Sequence, residues 1–132
     1  MKHRSLLTSA VVLSLAAALG GCGSSREVEV TGSVSAPSTA SEIALEFFDV
    51  IGEGEERELT SAHTAKLTGP GEFTEKMDLE GDSVLVRAIA DSDGDGACSA
   101  GEAWGEFEAS IKDDDTVDPI ELSLSTAACP TN

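Results

Sequence analysis

Ser83-Val84-Leu85-Val86-Arg87-Ala88-Ile89-Ala90 is the clearest strand in the chain, and the fold is read outward from it. It is a short apolar run that ends at a cluster of Asp, Ser and Gly, the punctuation expected where a strand stops. Downstream, Gly105, Phe107, Ala109 and Ile111 alternate with Glu106, Glu108 and Ser110, and Ile120, Leu122 and Leu124 alternate with Glu121 and Ser123. Upstream, Val28, Val30 and Val34 mark a first strand, with Glu27 and Glu29 on its other face. Ile43–Ile51 is an apolar-rich candidate for a buried strand, Leu59–Leu67 alternates weakly, and Phe73–Leu79 supplies another. Turns fall at 36–41, 52–56, 69–71, 80–82 and 113–115, where Gly, Pro, Asp, Glu and Ser gather. About seven short strands at this spacing predict an all-β fold, a single small antiparallel β-sandwich. One segment offers a competing period: Trp104, Phe107 and Ile111 also suit a helix.

Composition sets the limits of that domain. A chain of 132 residues is one domain. It has one Trp, four Phe and no Tyr, so Val, Leu, Ile and Ala must build the core. A core this modest calls for a staple such as a metal or a disulfide. The chain carries 25 acidic and 8 basic residues, a net charge of −17. That field repels nucleic acid and anionic headgroups, attracts cations and favours a soluble monomer.

The first residues read differently from the rest. Met1-Lys2-His3-Arg4 is basic, and Leu6–Leu19 is apolar but too short to cross a bilayer as a helix. This is the pattern of a secretory signal. Leu19-Gly20-Gly21-Cys22 resembles the bacterial lipobox, in which a diacylglycerol is placed on the cysteine thiol and the chain is then cut before it. The resemblance implies a signal peptide over 1–21, a lipidated Cys22 opening a tether over 22–26, and a sandwich domain over 27–132. It also implies a membrane as partner, held through palmitate-type acyl chains. Gly23 stands where Asp would retain a lipoprotein in the inner membrane, which implies the outer membrane in a Gram-negative cell. In a Gram-positive cell the destination is the outer face of the plasma membrane. The alternative is an ordinary signal cut near Ala16–Ala18.

Asp91-Ser92-Asp93-Gly94-Asp95-Gly96-Ala97-Cys98-Ser99-Ala100-Gly101-Glu102 matches the spacing of the EF-hand calcium loop. Calcium takes six to eight hard oxygens, and alternate residues of a tight turn point theirs inward. Asp91, Asp93, Asp95, the Ala97 carbonyl, Ser99 and Glu102 are the candidate ligands, and Gly96 permits a positive φ. The flanks are not those of an EF-hand, because the entering segment is strand-like. The stretch 83–130 resembles transthyretin-like and related immunoglobulin-like sandwich lipoproteins, in which a strand runs into such a turn. That resemblance implies a structural calcium ion. A solvated acidic turn without metal is the alternative.

With Cys22 lipidated, Cys98 and Cys129 remain, and an even remainder in an exported chain suggests a disulfide. It would close a loop of about 30 residues and contribute roughly 3–4 kcal/mol in the chain-entropy model; two free thiols are the alternative. No catalytic site emerges. His63 is the one histidine beyond the signal segment and reads as an exposed strand residue, and neither a nucleophile elbow nor a phosphate loop is present. The expected function is a non-catalytic envelope lipoprotein, structural or interacting, with an unidentified envelope protein or glycan as possible ligand. The alternatives are an adhesion-type module binding carbohydrate or protein near Trp104, which could instead pack against the acidic loop, and a small hydrolase built on paired carboxylates.

Overall fold

The computed structural model describes residues 24–37 and 42–130; the signal segment, Cys22 and Gly23 lie outside the described residues. Among the described residues, seven strands form two sheets. In chain order they are β1 (Arg26–Ser35), β2 (Ile43–Ile51), β3 (Glu58–Leu67), β4 (Gly71–Leu79), β5 (Ser83–Ala90), β6 (Trp104–Ser110) and β7 (Ile120–Ser123). One sheet has the order β4-β1-β7 and the other β3-β2-β5-β6. Their facing sides bury Val28, Val30, Ile43, Leu45, Phe47, Leu79, Val84, Val86 and Ile120 almost completely, so aliphatic side chains do fill the core. Phe47 adds an edge-on contact with Phe73 at 5.9 Å between ring centres.

The pairing departs from a purely antiparallel sandwich at one place. β7 runs parallel to β1, from Gly32 opposite Ile120 to Ser35 opposite Ser123, while the other pairings are antiparallel. Gly32 interrupts the Val28, Val30, Val34 alternation for a packing reason. A Cβ there would lie 2.3 Å from the Ile120 carbonyl oxygen and 2.7 Å from the Phe73 ring. A side chain at that position would therefore push β7 and Phe73 away from β1.

β5 lies between β2 and β6 and is buried on both faces. Val84, Val86 and Ala88 join the core between the sheets, and Leu85, Arg87 and Ile89 are covered on the outer side. Arg87 lies 5.1 Å over the Phe48 ring, and its guanidinium pairs with Glu106 at 3.1 Å. The stem and plane of an arginine can cover apolar surface in this way while its charge stays paired.

The weak alternation of 59–67 has a structural cause. Phe47 pairs with His63 and Phe48 with Ser61, so Ala62 is left over as a bulge and the inward phase shifts by one residue. Segment 104–110 is a strand rather than a helix. Phe107 is nonetheless 49% exposed, although its cross-strand partner Val86 is fully buried. It lies on an edge strand, where the four-residue β7 gives it little cover. His63 is a strand residue as expected, but it is half-buried rather than exposed. Its Nε2 lies 3.0 Å from Glu75 Oε2, and its ring packs on Phe47, joining β3 to β4.

Candidate metal centre

β5 delivers Asp91 at the point where the ladder with β2 ends. The Asp91 N–H donates to the Glu42 carbonyl at 3.0 Å, and the Ala90 N–H donates to the Ala103 carbonyl at 2.8 Å. The chain therefore leaves the sheet at Asp91 and re-enters it at Ala103, and Asp91–Glu102 is an excursion closed at its base. Gly94, Gly96 and Gly101 have φ of 75°, 71° and 89°, values that L side chains rarely adopt. They let the excursion coil tightly enough for alternate side chains to face one centre.

Asp91, Asp93, Asp95 and Glu102 meet there. One carboxylate oxygen from each lies within 4.8 Å of all the others, a grouping that could hold a metal ion. Two carboxylates about 5 Å apart repel by roughly 1 kcal/mol in bulk water and by several-fold more where solvent is excluded. Solvent is partly excluded here, since Asp91 is 3% and Glu102 5% exposed, whereas Asp93 and Asp95 are exposed.

Backbone donors hold the cluster open. Gly94 and Gly96 donate to the two oxygens of Asp91 at 2.9 and 2.8 Å. Ser92 and Ser99 donate to the two oxygens of Glu102 at 2.6 and 2.7 Å. Asp95 donates its N–H to Asp93 Oδ1 at 3.2 Å, and Ala97 donates its own to Asp95 Oδ1 at 2.9 Å. Each carboxylate is oriented by these bonds, and its remaining lone pairs are available to a hard cation. The donor set is all oxygen, which suits calcium or magnesium rather than zinc or copper.

The expected ligands divide into three kinds. The four acids come together. Ser99 joins them through its hydroxyl, which donates to Asp93 Oδ2 at 3.0 Å. Ala97 is exposed, and the contact it makes is through its N–H. The part of Ser92 was not read in the sequence, although a short polar residue after the first Asp could have suggested a partner for Glu102.

Cys98 and Cys129 form a disulfide with Cα atoms 5.7 Å apart. It ties the middle of the acidic loop to the C-terminal arm. The same arm is bonded to the start of β6: Trp104 and Ser125 exchange backbone hydrogen bonds at 3.0 and 3.1 Å, and Trp104 Nε1 donates to the Ala128 carbonyl at 3.1 Å. Trp104 is thus half-buried and engaged with the arm beside the loop. No family model, curated protein or solved structure matches this chain.

Proposed function

We propose that this chain is a non-catalytic, lipid-anchored protein of the cell envelope whose β-sandwich is stabilised by a structural calcium ion beside the Cys98–Cys129 bridge. The observation that carries the calcium reading is the convergence of Asp91, Asp93, Asp95 and Glu102, with the two loop ends buried and every carboxylate oriented by backbone donors. Backbone donors satisfy part of the need of these buried carboxylates, and a cation between them would offset their mutual repulsion. The anchoring reading is supported by the Leu19-Gly20-Gly21-Cys22 motif, and by the pairing of the other two cysteines with each other, which leaves Cys22 for a different role.

Export and calcium support one another. Outside the cell calcium is abundant, and sites in extracellular modules bind with dissociation constants of about 10⁻⁴–10⁻³ M. The role is stabilising, and the domain serves as a structural or interaction module for an envelope protein or glycan. The half-buried Trp104, donating to its own C-terminal arm, favours packing over ligand binding for that residue.

Thermal melting with calcium and with chelator tests the metal. The midpoint is expected to rise with calcium, and an unchanged midpoint removes the reading. The Asp93→Ala, Glu102→Ala double variant is expected to lose the rise. Growth with a fatty-acid analogue tests the anchor: label enters the wild-type chain and is absent from Cys22→Ala.

A further inference from the structure

The two ends of the sandwich differ in what they carry, and strand direction assigns each loop to one of them. β1 starts at Arg26 opposite Leu79, β5 starts at Ser83 opposite Val50, and β6 ends at Ser110 opposite Ser83. Loops 52–57, 80–82 and 111–119 therefore share the end at which the chain enters the domain. Arg26 fastens that entry point. Its guanidinium donates to the Gly81 carbonyl at 3.0 Å, and its Nε lies 3.1 Å from the Asp115 carboxylate as an ion pair without hydrogen-bond alignment. The other end holds the start of β2, where Ile43 faces Ala90, and the start of β6, where Trp104 faces Ile89. The acidic loop, the disulfide and the C-terminal arm all belong to this second end.

We infer that the anchor stands the domain on its entry end, so that the Asp91–Glu102 loop and the disulfide are the parts of the protein farthest from the membrane. This rests on the lipid-anchor reading of Cys22. Only Gly23, Ser24 and Ser25 separate Cys22 from Arg26, and four Cα steps of about 3.8 Å reach at most ~15 Å. The ten residues of β1 then carry the chain roughly 30 Å to the far end, at about 3.3 Å per residue.

The charge of the flanks works in the same direction, while that of the entry end is held near the surface by the tether. The three entry-end loops hold three, two and four acidic residues, all exposed, against Arg57 and Lys112. The tether keeps them close to the surface whatever the tilt. Tipping the domain would add the exposed strand acids Glu27, Glu29, Glu72, Asp78, Glu106 and Glu108 to the region within a Debye length (about 8 Å at physiological salt) of anionic headgroups. The end-on posture keeps those flanks away.

Trp104 is the single tryptophan and sits at the far end, so it reports the posture without a label. The lipidated full chain is placed on phosphatidylcholine–phosphatidylglycerol vesicles carrying a dansyl headgroup, and energy transfer from tryptophan is measured. Wild-type transfer is expected to be weak. In a Trp104→Phe, Asp82→Trp chain, whose new ring sits beside Arg26 at the entry end, transfer is expected to be several-fold stronger. Strong transfer from wild-type Trp104, in a chain that floats with the vesicles, overturns the orientation and leaves the anchor standing. A chain that does not float, and whose Cys22 carries no lipid by intact mass, removes the anchor reading and the inference with it.

Discussion

Asp91 and Glu102, the first and last residues of the acidic loop, are buried, and each uses both carboxylate oxygens to accept backbone N–H groups. Asp93 and Asp95 are exposed and accept fewer backbone bonds. This separates residues that shape the loop from residues that would mainly hold the ion.

Asp91→Ala is therefore expected to destabilise the protein even in chelator, by about 1–3 kcal/mol, because the Gly94 and Gly96 N–H groups lose their acceptor. Asp93→Ala is expected to leave the chelator midpoint nearly unchanged and to reduce the gain from calcium. That gain is expected to be about 2.7 kcal/mol in the wild type when free calcium is about 100 times the dissociation constant. Melting both variants with and without calcium checks the pattern. Equal losses for the two in chelator would contradict it.

The Cys98–Cys129 bridge closes a long loop, with the two cysteines 31 apart in sequence. Replacing both with Ser is expected to cost roughly 3–4 kcal/mol, read as a fall in the urea midpoint at constant m-value. Calcium affinity is expected to fall with it, because Cys98 lies between Asp95 and Ser99 and its anchor to the C-terminal arm restrains both. Titration calorimetry on the double Ser variant measures this second effect.

A third buried carboxylate holds the opposite end of the sandwich. Asp49, 6% exposed, accepts the N–H groups of Glu80 and Gly81, each at 2.8 Å, and so docks the β4–β5 turn onto β2. At Gly81 a Cβ would lie 1.9 Å from the Val50 carbonyl oxygen, so this turn can approach β2 so closely only as glycine. Gly81→Ala and Asp49→Ala are both expected to lower the urea midpoint, Asp49→Ala by about 1–3 kcal/mol. Both should leave the calcium increment unchanged, since the loop lies at the far end. A loss of calcium response in either variant would show that the two ends are coupled.

Acid titration has a local signature. Asp114 accepts hydrogen bonds from the Thr116 hydroxyl and N–H, and the hydroxyl bond foremost holds its carboxyl below the ordinary 3.8. A carboxyl depressed by folding contributes stability that is present above the unfolded value and is lost as pH falls through the folded one. Thr116→Val is expected to move the Asp114 carboxyl back upward in an NMR titration below pH 4, with little change in overall stability, since the group is exposed.

Local pattern was enough for much of this protein. The strand at 83–90, the valine alternation of β1 and the spacing of the four acids in 91–102 are all written in short runs, because side-chain period, turn chemistry and loop spacing act over a few residues. The pairing of Cys98 with Cys129 follows from the sequence only if Cys22 is set aside for lipid; the structure brings the two together. Other features depend on neighbours distant in sequence. Whether β7 lies parallel to β1, why Gly32 interrupts the valines, why Ala62 shifts the phase of β3, and why Phe107 is half-exposed while Arg87 is buried are decided by which strand lies alongside. The division of the acidic loop into buried ends and an exposed middle is of the same kind. Spacing places four carboxylates on one turn, but β5 and β6 must lie side by side, closed by the Ala90–Ala103 bond, before Asp91 and Glu102 share one desolvated pocket.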